Sequence, residues 1–123
     1  MNRLVRSALI VDDNDALRES LALVVEREGF EPVEAQCGEA AFELVETRRF
    51  DLAVLDLNLP DTTGVTIYRR MVIHKPLPAC IFITAEAGEE LIDDAMRLNP
   101  LELLRKPFEV SIFRALVRMA LRG

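Results

Sequence analysis

The stretch VLDLNLPDTTG, residues 54–64, runs from an apolar strand candidate into a turn. Val54 and Leu55 suit the interior of a sheet, whereas Pro60 and Gly64 are typical of the turn that ends a strand. Asp56 lies between them, at the end of a segment that otherwise has the composition of a protein core. Because an ionised carboxylate is costly to bury, its position indicates either a turn residue or a functional group.

Three further short runs share the apolar character of the segment before Asp56. The four strand candidates are ALIV (8–11), LAVL (52–55), CIFIT (80–84) and LELL (101–104). FEPVEA (30–35) is a weaker candidate, and its Pro32 cannot donate a ladder hydrogen bond. We therefore predict five strands, with the strand that contains Pro32 at an edge of the sheet.

Helical periodicity follows each strand candidate, because apolar residues recur there three and four positions apart. The stripes are Leu17, Leu21 and Val24; Ala40, Ala41, Leu44 and Val45; Val65, Tyr68 and Val72; Leu91, Ile92, Ala95 and Met96; and Ile112, Phe113, Leu116, Val117 and Ala120. Gly29 marks the end of the first helix, and Pro76 lies beyond the third. Alternating strands and helices predict one doubly wound α/β domain, a parallel sheet with helices on both faces.

The composition fits one domain and argues against several classes of protein. The chain has 123 residues, 50% of them hydrophobic, which suits a single core. Its net charge of −6 argues against binding nucleic acid or an anionic membrane through overall charge. Cys37 and Cys80 lie outside any CxxC pattern, which favours reduced cytoplasmic thiols over a zinc site. We predict a cytoplasmic domain over residues 1–123, with no output domain.

Polar residues follow four of the five strand candidates. They are Asp12 and Asp13 after the first strand, Asp56 after the third, Thr84 and Ala85 after the fourth, and Lys106 and Pro107 after the fifth. The carboxyl ends of parallel strands share one edge of the sheet, where α/β proteins bind ligands. Taken singly, each residue is better explained as a helix cap, a turn residue or a solvated loop residue. Their joint occurrence favours one shared site.

Three clustered aspartates predict phosphoryl chemistry with a divalent metal. Crowded carboxylates raise one another's pKa, and a divalent cation relieves the repulsion. Mg²⁺ prefers oxygen ligands and commonly takes one or two carboxylates together with phosphate oxygens. Because a carboxylate can also attack phosphorus, we predict Asp56 as the phosphate acceptor. Lys106 and Thr84 would supply a positive charge and a hydroxyl donor to the phosphoryl oxygens.

Together these motifs resemble the receiver domain of two-component response regulators, over essentially the whole chain. The motifs are Asp12-Asp13, DLNLP (56–60) with Gly64, Thr84-Ala85, and Lys106-Pro107-Phe108. The resemblance implies a chemotaxis-regulator-like fold, with five parallel strands in the order 2-1-3-4-5. It implies that Asp56 accepts phosphate from a histidine kinase or histidine phosphotransferase. Asp13, Asp56 and the backbone carbonyl of Asn58 would hold Mg²⁺ (or Mn²⁺), and Asp12 would act through metal-bound water.

The resemblance also implies how phosphorylation is read. Thr84 would move toward the phosphate and Lys106 would pair with it. The surface of the fourth helix, fifth strand and fifth helix would then change, signal to a downstream protein and support a homodimer. Asn58 and Glu86 occupy the two positions that tune the lifetime of the phosphate in this family.

Two departures from the family pattern fall on that output surface. Leu103 stands where the family usually has an aromatic switch residue, and Asn99-Pro100 stands where it often has Gly-Ala. Leucine has neither a ring nor a hydroxyl. We therefore expect smaller phosphorylation-dependent shifts on this surface than in ordinary receivers.

Three other functions compete with the signalling receiver. A degenerate receiver that only binds proteins is disfavoured by the intact Asp13, Asp56, Thr84 and Lys106. A phosphatase of the haloacid dehalogenase type needs a second aspartate two residues after its nucleophile, where this chain has Asn58. A dinucleotide-binding domain needs a glycine-rich turn after the first strand. We predict a non-enzyme that catalyses only its own phosphorylation and dephosphorylation.

Several surface residues have no predicted role in the chemistry. His74 is expected to be a neutral surface residue near the end of the third helix. The fourth helix is expected to carry a solvated charged face, formed by Glu89, Glu90, Asp93, Asp94 and Arg97. Arg114 and Arg118 are expected either to pair across a dimer interface or to face solvent.

Overall fold

Five parallel strands form one sheet, and five helices cover its two faces. The structure is a computed structural model that describes residues 5–74 and 77–122. The strands are β1 (Arg6–Val11), β2 (Phe30–Ala35), β3 (Leu52–Asp56), β4 (Ala79–Thr84) and β5 (Glu102–Arg105). The helices are α1 (Asp15–Arg27), α2 (Gly38–Thr47), α3 (Gly64–Met71), α4 (Glu89–Met96) and α5 (Val110–Arg122). The predicted α/β class is confirmed. Pro76 lies outside the described residues.

The strand order is β2-β1-β3-β4-β5, which confirms the predicted topology. Every pairing is parallel. β2 lies at an edge of the sheet, as predicted from Pro32, which cannot donate a ladder hydrogen bond. The same order sets β1, β3, β4 and β5 side by side, so that their carboxyl ends form one continuous edge.

Apolar side chains on the two faces of the sheet form two cores, because successive strand residues point to opposite faces. The first core lies against α1 and α5 and includes Ile10, Val54, Ile81 and Phe113. The second lies against α2, α3 and α4 and includes Leu9, Leu55, Phe82 and Ile67. This double cover makes the central strands almost wholly apolar, so that polar groups are confined to their ends.

Two residues of the predicted helical stripes are exposed. Met96 is 45% exposed and Ile112 is 49% exposed. Met96 is the last residue of α4, and Ile112 precedes Phe113, which takes the core position. Neighbouring helix residues point about 100° apart, so both cannot face the same core.

Among the described residues, no helix combines the length and apolar character that crossing a membrane requires.

Candidate functional site

Three aspartates converge at the carboxyl ends of β1 and β3, as predicted. Asp12 and Asp13 directly follow β1, and Asp56 is the last residue of β3. One carboxylate oxygen from each lies within 4.8 Å of the other two. Asp12 is fully buried, Asp56 is 3% exposed, and Asp13 is exposed. The cluster therefore opens to solvent on the side of Asp13.

Asp56 is held in one orientation by two donors. Its Oδ1 accepts a hydrogen bond from the backbone N–H of Asn58 at 2.9 Å, and its Oδ2 accepts one from Lys106 Nζ at 2.9 Å. Burial raises the pKa of Asp56 above its ordinary value of 3.8, because the two hydrogen bonds offset the lost hydration only in part. The nearby charge of Asp12 adds to the rise.

Lys106 is the cation of the site. Its Nζ lies 3.0 Å from Asp12 Oδ2 and 2.9 Å from Asp56 Oδ2. Burial acts to lower the pKa of Lys106, but the neighbouring carboxylates of Asp56 and Asp12 outweigh it and raise the pKa. The ammonium is thus favoured, whereas the carboxylate of Asp56 is disfavoured. This difference arises because burial dominates the pKa of Asp56, which faces one ammonium and one like charge, whereas two carboxylates outweigh burial at Lys106.

The donor set fits a hard divalent cation. Three carboxylates and one ammonium leave a formal charge of −2 at the cluster. Asp12 Oδ2 is enclosed, and its contact with Lys106 is short but lacks the angles of a hydrogen bond. An enclosed carboxylate oxygen with unused capacity is suited to a metal-bound water. The residues present therefore match what Mg²⁺ binds.

Thr84 and Asn58 meet at the mouth of the site. Thr84 is the last residue of β4 and is fully buried. Its Oγ1 lies 3.5 Å from Nδ2 of Asn58, and the same amide donates to the backbone carbonyl of Glu86. Glu86 itself is exposed and contributes its main chain to this contact. The Asn58 side chain therefore joins the loop after β3 to the loop after β4.

Gly64 lets the start of α3 approach the end of β3. A Cβ at this position would lie 2.6 Å from the carbonyl oxygen of Asp56 and 3.1 Å from Leu55 Cβ. Only a residue without a side chain allows this approach. The close packing fixes the backbone on which Asp56 stands.

Asp61 fastens the loop after β3 to α2. Its carboxylate accepts hydrogen bonds from the backbone N–H groups of Gly38 and Glu39, at 2.8 and 2.9 Å. These hydrogen bonds lower the pKa of Asp61. Cys37, the residue at the helix cap position, makes no side-chain cap of its own. Asp61 thus caps α2 from another loop, a role that no local sequence signal marks.

Arg18 is a second residue that sequence reasoning missed. Its guanidinium is largely buried and donates to the backbone carbonyl of Asp12 at 2.9 Å. The sequence showed only an arginine on the polar side of a helix.

Leu103 and Asn99 occupy the positions where the sequence departs from the receiver pattern. Leu103 is half-buried and lies opposite Phe82 in the β4–β5 ladder, on the side of the second core. Asn99 adopts φ of 55°, a left-handed conformation that asparagine tolerates better than most residues. Asn99 can therefore form the turn for which glycine is ordinarily suited.

Arg114 and Arg118 of α5 pair with Glu28 of the same chain, a contact that the prediction did not include, and Arg118 also faces solvent as one predicted alternative has it. Nε of Arg118 lies 2.7 Å from the Glu28 carboxylate, and Nε of Arg114 lies 3.7 Å from it. Glu28 caps the end of α1 and lies beside α5. The pairing lowers the pKa of Glu28. His74 is half-buried and follows the end of α3, as expected for its position.

A family model described as the response regulator receiver domain matches residues 8–118. The chain belongs to this family. The predicted resemblance is therefore confirmed, and the acidic cluster at the edge of the sheet is consistent with the phosphorylation site of a receiver domain. Receiver domains are signalling modules that bind Mg²⁺ at such a pocket and interact with histidine kinases or phosphotransferases.

Individual relatives agree with this assignment. The chain is 32% identical to sporulation initiation phosphotransferase F of Bacillus subtilis, over 89% of each chain. It is 35% identical over 100 residues to the transcriptional regulatory protein SrrA of Staphylococcus aureus, and 28% identical over 117 residues to a cyclic di-GMP phosphodiesterase of Thermotoga maritima. The match to SrrA covers 81% of this chain but only 41% of SrrA. The match to the phosphodiesterase covers 95% of this chain but only 31% of that protein.

Solved structures share the same fold. A CheY-like receiver domain from Methanospirillum hungatei is 25% identical with a TM-score of 0.79, over 97% of this chain and 99% of that one. A response regulator from Burkholderia pseudomallei is also 25% identical, with a TM-score of 0.77, over 95% of this chain and 69% of that one. That protein was solved with a phosphorylated aspartic acid, a calcium ion and citrate.

Proposed function

We propose that this receiver domain takes a phosphoryl group onto Asp56 from a sensor histidine kinase or a histidine phosphotransferase. One observation carries the proposal: a carboxylate fixed at a strand end, 2.9 Å from the Lys106 ammonium, with two further carboxylates beside it. This arrangement provides an oxygen nucleophile, a cation for the phosphoryl oxygens and ligands for a metal. Phosphoryl transfer requires little beyond such positioning and charge neutralisation.

In the transfer step, a carboxylate oxygen of Asp56 forms a bond to phosphorus as the bond to the donor's histidine nitrogen breaks. The electron pair of the broken bond stays on that nitrogen. The backbone N–H of Asn58 donates to Oδ1 of the Asp56 carboxylate, and this hydrogen bond limits rotation of the side chain. Attack by water on the phosphorus later restores the free carboxylate and releases phosphate. The domain would thus catalyse only its own phosphorylation and dephosphorylation.

We propose Asp13, Asp56 and the backbone carbonyl of Asn58 as the residues that hold Mg²⁺ (or Mn²⁺), with Asp12 acting through water. When bound, the cation neutralises charge on the phosphoryl oxygens. The exposed position of Asp13 leaves that side of the site open to water and to the phosphoryl donor.

Lys106 and Thr84 are proposed to bind the oxygens of the phosphoryl group. Lys106 exchanges part of its contact with Asp56 for a phosphoryl oxygen, and the Thr84 hydroxyl donates to another. Because Asn58 contacts both Thr84 and the backbone of Glu86, it couples the acceptor loop to the loop after β4. We propose Asn58 and Glu86 as the pair that tunes the lifetime of the phosphate.

The signal is proposed to leave through the surface formed by α4, β5 and α5, toward a downstream protein or a second copy of the chain. No direct contact of this domain with nucleic acid or membrane is proposed, given the net charge of −6. We propose one receiver domain over residues 1–123, acting in the cytoplasm, where the free thiols of Cys37 and Cys80 would stay reduced.

The test is the intact mass of the protein after incubation with acetyl phosphate, with and without Mg²⁺, for wild type and Asp56→Asn. We expect one phosphoryl adduct that requires Mg²⁺ and is lost in the variant. A folded wild type without any adduct would instead support a receiver that only binds proteins. Steady turnover of phosphate monoesters would support a phosphatase of the haloacid dehalogenase type.

A further inference from the structure

Arg18 contacts the acidic cluster through the main chain of Asp12. The residue is 9% exposed. Its Nη1 donates to the backbone carbonyl of Asp12 at 2.9 Å and lies 2.8 Å from Asp15 Oδ1. Its Nε donates to Glu34 Oε1, at 2.9 Å, on the edge strand β2. One guanidinium therefore ties α1, β2 and the loop after β1 together.

This contact completes the fixation of Asp12. The N–H of Asp12 donates to the carbonyl of Ala35 at 3.2 Å, and its Oδ1 accepts from the N–H of Asn14 at 2.8 Å. Its Oδ2 lies 3.0 Å from Lys106 Nζ. The hydrogen bond from Arg18 holds the remaining polar group, the carbonyl. Each main-chain and side-chain polar atom of Asp12 thus has a fixed neighbour.

The Asp12 carbonyl belongs to the peptide bond that leads into Asp13. Because the peptide is planar, a hydrogen bond at its oxygen restrains the orientation of the whole unit, including the N–H and Cα of Asp13. Asp13 is the exposed carboxylate of the cluster. The contact from Arg18 therefore restrains the backbone that carries the most exposed carboxylate of the cluster.

Charge neutralisation does not account for this placement. Two carboxylates, Asp15 and Glu34, already lie within 3 Å of the guanidinium and together exceed its single charge. The effect of Arg18 on the site is therefore geometric. The planar fork of the guanidinium allows it to bind Glu34 and the Asp12 carbonyl at once, which a lysine ammonium matches poorly.

We propose that Arg18 is a positioning residue that sets the geometry, and through it the metal affinity, of the acidic cluster. It acts through the Asp12–Asp13 peptide and touches neither metal nor phosphate. This inference rests on the proposed function, since it concerns the same cluster. Residues that orient metal ligands from behind typically change metal affinity by 10-fold or more when they are replaced.

The test compares Arg18→Gln with Arg48→Gln. Arg48 pairs with the exposed Glu31 at 2.8 Å on another part of the surface, so its replacement is a matched loss of one ion-paired arginine. Three quantities are measured: the Kd for Mg²⁺ of the unphosphorylated protein by calorimetry, the amide NMR shifts of Asp13 and Asn14 without metal, and the rate of adduct formation with acetyl phosphate.

We expect Arg18→Gln to raise the Kd for Mg²⁺ by about 10-fold, to shift both amides and to slow adduct formation at limiting Mg²⁺. Arg48→Gln should match wild type in all three. A folded Arg18→Gln with wild-type Kd and amide shifts would overturn the inference. Absence of an adduct in wild type itself would overturn the proposed function instead, so the two failures are distinct.

Glu34→Gln keeps the inference open to test if Arg18→Gln does not fold. Glu34 lies on the edge strand with a side chain 38% exposed, so its replacement leaves the core intact. Loss of the Glu34 charge weakens the contact with Nε of Arg18. We therefore expect a weaker affinity for Mg²⁺ and a changed NMR shift of the Asp13 amide. Wild-type values for both would overturn the inference.

Discussion

Burial of Asp56 disfavours its ionised form, whereas the proposed attack on phosphorus requires that form. An exposed carboxylate would be cheap to ionise, but water would compete for the phosphorus. At 3% exposure the carboxylate is largely shielded, and its pKa is raised as a result. The Lys106 ammonium and the Asn58 N–H recover only part of that cost. A divalent cation would recover more, which links metal binding to the stability of the fold.

The raised pKa of Asp56 predicts a pH-dependent effect of Asp56→Asn in metal-free protein. Because the folded-state pKa lies above the ordinary 3.8, protonated Asp56 favours the fold. Its stabilising contribution is complete below pH 3.8 and is lost as the pH rises through the raised value. Asparagine stays neutral throughout. The variant should therefore have a higher urea midpoint than wild type at neutral pH, and the difference should shrink on acidification.

Urea unfolding in EDTA across this pH range is the measurement. Saturating Mg²⁺ serves as the control, because wild type should then gain more stability than the variant, which lacks one of the proposed ligands. An Asp56→Asn variant less stable than wild type in EDTA at neutral pH would contradict the prediction.

Residues of the site differ in how far the sequence reveals them. Asp56, Thr84 and Lys106 each follow an apolar run, so a local pattern predicts that parallel strands bring them together. Asp61 and Arg18 carry no such signal. Asp61 meets α2 through partners 22 and 23 positions away, and Arg18 reaches back to a main-chain carbonyl. Contacts of this kind depend on how loops pack, which a single sequence does not encode locally.

At the scale of elements, the junction of β3 and α3 sets the position of Asp56, the proposed acceptor. α3 begins at Gly64, directly against the carbonyl of Asp56, and its N-cap Thr63 accepts a hydrogen bond from the N–H of Thr66. Strand and helix are thereby held at a separation that only a glycine permits.

Gly64→Ser should destabilise the domain by about 1–3 kcal/mol, because the new Cβ meets main-chain atoms that cannot yield. Gly88→Ser is the matched control. Gly88 is the N-cap of α4, no atom lies within 4 Å of a Cβ built there, and serine is a favoured cap. Its urea midpoint should equal or exceed that of wild type. Equal midpoints for the two variants would contradict the proposed role of the close approach.

Element boundaries were harder to predict than element types. The apolar run at 8–11 marks the buried part of β1, but the strand begins at Arg6. LELL at 101–104 overlaps β5, which in fact ends at Arg105. Ladder hydrogen bonds come from the backbone, so polar residues continue a strand beyond its apolar segment. The strand order was better predicted than the strand ends, because it was implied by the resemblance to receiver domains and not read from the apolar runs.

Over the whole molecule, the proposed phosphorylation site and the proposed output surface are joined through β4 and β5. Thr84 ends β4 at the site, and Leu103 lies in β5 opposite Phe82 of β4. A local charge change can alter a distant surface only if an element between them has two arrangements of similar free energy. On the far side, the ion pairs of Glu28 with Arg114 and Arg118 hold α5 against α1.

Leu103 predicts a weak response of this surface to phosphorylation. An aromatic residue with a hydroxyl can exchange a solvated position for a buried one, which gives two distinct states. Leu103 is already half-buried against the second core and has no polar group to hold it outside. Amide NMR shifts of α4, β5 and α5 on treatment with acetyl phosphate and Mg²⁺ should therefore be smaller in wild type than in Leu103→Tyr.

The double variant Asp56→Asn, Leu103→Tyr is the control. It carries the tyrosine ring but lacks the predicted phosphate acceptor, so any shift it shows comes from the substitution and not from phosphorylation. Its spectrum should not respond to acetyl phosphate. Equal responses in wild type and Leu103→Tyr would mean that leucine suffices for the switch. The transmitting element would then have to be the Thr84 loop, which Asn58 contacts directly. Smaller shifts in wild type would instead assign the transmission to the β5 position, and would make this receiver one whose output surface changes little when Asp56 is phosphorylated.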